Sequence, residues 1–149
     1  MSTISIVLFV IAAIIIVGLG VYAGRLLFML QKQKSQQEEI RSKRVASMQS
    51  SIQTIAFAMQ QQQCDLSEGA IRICRLLEAL PLSPLPDFNK RYPAIHALFE
   101  LVKDYPTHEL RLAMKKQERM QQDKQRQQFE SELETKILRE TVGLREFTP

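Results

Sequence analysis

The chain has few of the residues that build disulfide-rich, β-rich or metal-binding proteins. Its 149 residues include no Trp, two Cys, two His and five Gly. Only Gly69 and Gly143 follow Gly24, so the tight turns that join strands have little to form them. The two cysteines, Cys64 and Cys74, form no CxxC pair and predict reduced thiols that are buried or half-buried. These shortages favour an all-α protein.

Ligands and catalytic motifs are equally scarce. The soft metal ligands His96, His108, Cys64 and Cys74 lack the close pairs of a zinc site, so no metal is predicted. The sequence has no nucleophile elbow and no Gly-rich phosphate loop, which predicts no cofactor and no enzyme. A hydrolase built on Glu68, His108 and Glu109 is the third hypothesis, behind two binding functions.

Charge is absent from residues 4–24, which are mostly Ile, Val, Leu, Ala and Phe. A helix of about 20 apolar residues matches the hydrocarbon core of a bilayer. The alternatives are a buried core helix and a cleaved signal peptide with residues 21–23 as its cleavage site. Residues 6–17 are apolar on every face, and a small protein cannot cover such a helix. Against a signal peptide, residues 1–5 contain no Lys or Arg, and the apolar run exceeds the usual signal-peptide centre of about 7–15 residues. We expect an uncleaved membrane anchor at residues 1–30.

The net charge of +4 lies just after the apolar segment. Residues 25–63 contain six basic and two acidic residues, whereas residues 64–106 and 107–149 are close to neutral. This pattern predicts an outward-facing N-terminus and a cytoplasmic C-terminal part. It also favours contact with anionic lipid over specific nucleic-acid binding. The six juxtamembrane basic residues are Arg25, Lys32, Lys34, Arg41, Lys43 and Arg44.

Gly20 and Gly24 have the GxxxG spacing that lets membrane helices approach closely. A homodimer through this contact is therefore one alternative. The spacing lies at the end of the apolar run, where small residues are common.

Helical periodicity organises the rest of the chain. Residues 31–44 are polar and predict a stalk that continues the membrane helix. A small cytoplasmic domain follows at residues 45–149 and is expected to bury three apolar helix faces. The faces are Val45, Met48, Ile52, Ile55 and Met59; Leu66, Ala70, Ile73, Leu77 and Leu80, widened by Ile71, Cys74 and Leu76; and Ile95, Leu98, Phe99 and Val102.

The ends of these helices have recognisable signals. The Gln run at residues 60–63 closes the first helix. Asp65 predicts an N-cap, with Glu68 returning the bond as in a capping box. Arg72 lies one turn after Glu68 and predicts an ion pair or a recognition face.

A Pro-rich connector at residues 81–93 and a long polar helix at residues 107–142 complete the domain. In the connector, Leu82, Leu85, Phe88 and Tyr92 are expected to pack across the core, and Pro93 suits a first helical turn. Thr107 is the expected N-cap of the polar helix, which either projects from the domain or folds back.

Several segments carry a family resemblance. They are residues 51–56, 63–73, 105–111 and 115–119, together with Asp123. Through them the chain resembles the bacterial family catalogued as domain of unknown function 2489. The Pro-Thr-His-Glu block at 106–109 is the most specific part. The resemblance implies a membrane-anchored bacterial protein and brings no activity to transfer. It singles out as interaction or structural residues Asp65, Glu68, Arg72, Thr107, His108 and Glu109.

The sequence therefore predicts a single-pass protein of the bacterial inner membrane whose helical domain binds another protein. The alternative is binding of anionic lipid or nucleic acid through the basic segment 32–44, which would weaken steeply as salt rises.

Overall fold

The computed structural model describes residues 3–106 and 108–149, and this part of the chain is helical with no strand. The prediction of an all-α protein is confirmed. The chain divides into two compact units, Met1–Lys43 and Arg44–Pro149. The helices are α1 (Thr3–Gln60), α2 (Leu66–Glu78), α3 (Phe88–Arg91), α4 (Pro93–Val102), α5 (His108–Ala113) and α6 (Lys116–Arg145).

The first unit contains the apolar part of α1, and its described side chains are exposed throughout. Among the described residues, α1 is the one helix long and apolar enough to cross a membrane. By length and composition alone, such a segment suits a membrane span or an N-terminal signal sequence.

In the second unit, the end of α1 contributes its predicted face to the core. Ile52 is fully buried and Met59 almost so, while Val45, Met48 and Ile55 are half-buried against the same cluster. The three-and-four spacing of these residues places them on one side of the helix. This face is confirmed.

The Gln run ends α1 as predicted. The backbone N–H of Gln63 donates to the carbonyl of Ala58 (2.9 Å), and Gln62 has a left-handed backbone with φ of 56°. The chain then turns into α2, where Gly69 packs directly on Met59. A Cβ at position 69 would collide with the Met59 side chain, so a larger residue there would have to displace Met59.

Helices α2 and α4 pack on each other and supply most of the remaining core. The predicted faces of both helices are confirmed, because their central residues are buried. These residues are Ala70, Ile73, Cys74, Leu77 and Leu80 of the α2 segment and Ile95, Leu98, Phe99 and Val102 of α4. Both cysteines are free; Cys74 is buried and Cys64 half-buried, as predicted.

The connector at residues 81–93 contains the short helix α3, which the sequence analysis does not predict. Its N-cap Asp87 accepts a hydrogen bond from the backbone N–H of Lys90 (3.4 Å). Phe88 and Tyr92 are buried as expected. The expectation for Leu85 is wrong: it is 47% exposed, because it lies before α3, between Pro84 and Pro86, and does not reach the core.

The single polar helix predicted at residues 107–142 is also wrong. The structure has two helices there, separated at Met114 and Lys115, where the Lys115 backbone is extended (ψ 145°). Arg111 reaches Asp123 across this break at 2.7 Å. In one continuous helix, residues 12 positions apart would be about 18 Å apart along the axis. The tertiary contact therefore requires the break.

The second half of α6 packs on α2 and α4 instead of projecting. Ile137, Thr141 and Leu144 are fully buried. Thr141 donates its hydroxyl to the carbonyl of Leu138 and accepts from the side-chain amide of Gln60 (3.2 Å). Phe147 follows α6 and is fully buried as well. The C-terminus thus closes the core.

Candidate functional site

The start of α2 holds three of the residues that the family resemblance singles out. Asp65 occupies the N-cap position, but its side chain makes no capping hydrogen bond within the described part of the chain. Glu68 pairs instead with Arg72, with 2.5 Å between their side chains. The predicted capping box is therefore wrong.

Glu130 of α6 serves the first turn of α2 in place of Asp65. Its carboxylate accepts from the backbone N–H of Ser67 (3.1 Å) and from the Ser67 hydroxyl (2.5 Å). Ser67 is only 3% exposed, so these bonds lie away from bulk water. A carboxylate at a helix N-terminus also complements the positive end of the helix dipole.

Glu140 has the same role at α4, where its two carboxylate oxygens accept from the backbone N–H groups of Ala94 (2.8 Å) and Ile95 (3.0 Å). Pro93 precedes them and has no N–H to satisfy. Two glutamates of one helix thus close the N-termini of two others. Neither glutamate has a role that is predicted from the sequence. They flank the apolar stripe of α6, but nothing in the sequence indicates which N–H groups they meet.

A groove of about 310 Å³ lies where α1 turns into α2 beside α6, and Asp65 lines it. Cys64, Glu130 and Glu134 also contribute to its wall. Partial burial raises the pKa of the Cys64 thiol, and the nearby Glu68 carboxylate adds to this rise. Because a thiolate is the nucleophilic form, the protonated Cys64 does not indicate a reactive centre.

Three charged residues of α6 surround its contact with Arg111 of α5. Nη2 of Arg111 lies 2.7 and 2.9 Å from the two carboxylate oxygens of Asp123. Arg126 reaches the same carboxylate at 3.9 Å, and the charge of Arg119 also acts on it. Arg111, Arg119 and Asp123 belong to separate segments of the family resemblance. The structure brings those segments together.

The remaining predicted site residues are less informative. Thr107 and the side chains of His108 and Glu109 lie outside the described residues. The described juxtamembrane basic residues are exposed, and Lys43 pairs with Glu39 at 2.6 Å. Positions 20 and 24 are open, since a Cβ at either glycine would meet nothing within 4 Å. Across the described residues, no three His, Cys, Asp or Glu side chains are grouped as metal ligands.

Acid should release α5 from α6. The hydrogen bond from Arg111, reinforced by the charges of Arg126 and Arg119, holds the pKa of Asp123 below its ordinary value. Such a carboxyl stabilises the contact above its unfolded pKa of about 4, and the contribution is lost as the pH falls through the lower folded value. We expect the backbone amides of α5 to exchange hydrogen faster below about pH 4, after correction for intrinsic rates. Asp123→Asn should exchange fast already at neutral pH; protection that is unchanged by acid would contradict this assignment.

The geometry defines an all-helical protein with one long apolar N-terminal helix and a folded helical unit. The family described as "Protein of unknown function (DUF2489)" matches residues 16–144. An "Uncharacterized protein" of Haemophilus influenzae is 39% identical over 140 residues, which covers 94% of this chain and 92% of that protein. The chain belongs to this family, as the resemblance indicated. No solved structure matches it.

Proposed function

We propose that this chain is a single-pass protein of the bacterial inner membrane, anchored by the apolar part of α1. The absence of charge from residues 4–24 supports this proposal, as do the exposed apolar side chains of the same segment. In water, this surface would be costly, because burying apolar area is worth about 25 cal/mol per Å². In the hydrocarbon core of a bilayer, the same surface contacts lipid chains and does not have this cost.

The orientation follows from the same proposal. The basic residues after the apolar run favour an outward N-terminus and a cytoplasmic unit Arg44–Pro149. Membrane sheets washed with alkaline carbonate should retain the full chain, and a reporter fused after Pro149 should be active only in the cytoplasm. A chain that is cleaved near residue 23, or released by the wash, would contradict the anchor.

The cytoplasmic unit then acts as an interaction module that binds another protein. The observation that carries this function is a groove of about 400 Å³ between α4 and α6. Its apolar lining consists of Pro93, Ala94, Ala97 and Leu133. Small side chains on one wall let another helix approach closely, and the volume is in the range of typical binding clefts.

The charged residues that line the groove define the chemistry of the partner. Lys136 and Arg139 line it, and neither has an ion-pair partner among the described residues. Glu140 also lines the groove, but its carboxylate is occupied by the two N–H groups of α4. The unpaired charges of Lys136 and Arg139, beside the apolar lining, complement an amphipathic helix that carries Asp or Glu next to its apolar face.

A photo-crosslinking amino acid at Ala97 tests this function. Ala97 is exposed in the groove, and Ala79, an exposed alanine at the end of α2, serves as the matched control. In intact cells, Ala97 should crosslink to an acidic peptide of another protein and Ala79 should not. Adding Lys136→Glu and Arg139→Glu should abolish the crosslink. Equal crosslinking from both alanines, or crosslinks unaffected by the charge reversal, would contradict the proposed partner; crosslinks between copies of the chain would replace it by self-association.

A further inference from the structure

The C-terminal part of the chain is nearly neutral overall but contains one strongly basic segment. Residues 111–126 contain six basic and two acidic residues, a net charge of +4, while residues 127–149 contain three basic and five acidic residues. The positive charge is thus concentrated at α5 and the first half of α6. It is distinct from the groove between α4 and α6 and from the juxtamembrane basic residues.

The core-facing stripe of α6 changes character along the helix. Its second half presents Leu133 and Ile137 to the core. The first half continues the same three-and-four spacing with Arg119, Gln122 and Arg126, all half-buried. Charged residues on a half-buried helix face are costly unless their polar groups are bonded.

Three buried polar atoms on this stripe have no hydrogen-bond partner in the described part of the chain. They are Nε of Arg119, Nε of Arg126 and Oε1 of Gln122. Buried polar atoms in folded proteins are almost always bonded, so an unbonded group of three calls for a specific cause. Two of the three are guanidinium donors, which suit an anion.

We propose that Arg111, Arg119 and Arg126 form a binding site for a phosphate group. The side chains of Arg111 and Arg126 are each 35% exposed, so a ligand can reach the exposed part of these two side chains from solvent, with the Nε atoms of Arg119 and Arg126 lying below that surface. Each guanidinium has five N–H donors in a planar fork that fits phosphate oxygens. The Gln122 amide oxygen can accept from the P–OH group of inorganic phosphate or from a hydroxyl of a lipid headgroup.

Asp123 positions the site without neutralising it. Its carboxylate engages Nη2 of Arg111 and leaves the other N–H groups of that guanidinium available. Three arginines against one aspartate leave a net charge of +2 in the cluster, which suits an anionic phosphate group. The fixed Arg111–Asp123 contact also holds α5 beside α6, so the donors are ordered before the ligand arrives.

The phosphate can belong to a lipid headgroup or to a free phosphate compound, because both present anionic non-bridging oxygens. The test uses the full chain in phosphatidylcholine bicelles, with or without phosphatidylglycerol, and with inorganic phosphate as the soluble probe. Phosphorus NMR resolves the lipid and inorganic lines in one sample. Broadening of the inorganic line assigns a soluble ligand, and selective broadening of the phosphatidylglycerol line assigns a lipid headgroup.

Three variants test whether phosphate binding depends on these arginines or only on the net positive charge of α6. Arg119→Gln with Arg126→Gln should weaken phosphate binding by roughly tenfold or more, because charge-assisted hydrogen bonds are lost. Arg119→Lys with Arg126→Lys keeps the charge but removes both Nε donors, and should also weaken it several-fold. The control Lys136→Gln with Arg139→Gln removes the same charge from the same helix and should leave binding unchanged.

Three results would contradict the proposed phosphate site. In the first, the wild-type chain broadens neither the inorganic phosphate line nor the phosphatidylglycerol line more than the Arg119→Gln, Arg126→Gln variant does. In the second, the Lys136→Gln, Arg139→Gln control loses as much phosphate binding as the arginine-to-glutamine variant. In the third, the lysine variant binds phosphate fully. Either of the last two results would show that binding depends only on diffuse positive charge. Helical circular dichroism checks that each variant is folded. The result is independent of the partner-binding groove, because the crosslink at Ala97 is measured separately.

Discussion

Replacing Phe147 by alanine should lower the free energy of unfolding of the helical unit by about 3–5 kcal/mol, the range for large buried aromatic residues. Phe147 is fully buried two residues after the last helix ends. Its ring lies 6.0 Å from the Phe88 ring, and the Arg91 guanidinium lies 5.9 Å from it. Its carbonyl accepts from the side-chain amide of Gln53 (3.0 Å). Truncation leaves a cavity at a contact that joins α1, α3 and the C-terminus.

The thiol of Cys74 reports this unfolding in the full chain. Cys74 is fully buried, and burial raises its pKa to about 12. It should therefore react with a thiol reagent at neutral pH only after the unit unfolds. Urea titrations with pulse labelling, in a Cys64→Ser background, give the midpoint for each variant.

Phe57→Ala is the matched control for Phe147→Ala. Phe57 is 45% exposed and lies under the Arg145 guanidinium at 5.2 Å. Its loss should cost about 1 kcal/mol or less. Similar midpoints for the two alanine variants would contradict the buried position of Phe147.

The second large effect is expected from Glu130 and Glu140. Replacing either by alanine leaves backbone N–H groups at a helix N-terminus without a partner, which should cost about 1–2 kcal/mol. Ten positions on a helix separate the two residues by about 15 Å. Their effects should therefore add, giving about 2–4 kcal/mol for the double variant.

Glu134→Ala is the control for this pair, because Glu134 is an exposed acidic residue on the same helix. Its replacement should change the free energy of unfolding by less than about 0.5 kcal/mol. The Cys74 assay measures all four variants. A double variant no less stable than Glu134→Ala would show that the two carboxylates do not cap α2 and α4.

The core faces could be predicted from the sequence, because helix periodicity depends only on local spacing. The buried residues of α1, α2 and α4 recur every three or four positions, and Pro93 begins α4 as expected. The family was also evident from sequence, since its motifs are contiguous blocks. Leu85 shows the limit, because an apolar residue between prolines has no periodicity that indicates whether it is buried.

The break at Met114 and Lys115 could not be predicted, because no Gly or Pro marks it. The break lets Arg111 reach Asp123. Sequence also favoured Asp65 as the cap of α2, since a local cap needs only adjacent residues. In the structure, the capping carboxylate is that of Glu130, which lies 63 positions after Ser67, the residue whose N–H it accepts.

By itself, the sequence determined the helical class, the apolar N-terminal segment, the family and which helix faces are buried. Each of these depends on composition or on spacing within a few turns. Tertiary structure alone decided which carboxylates close which helices, where the last helix breaks, and that three arginines gather around Asp123. Those contacts join residues far apart in the chain, and local propensity contains no information about which distant groups meet.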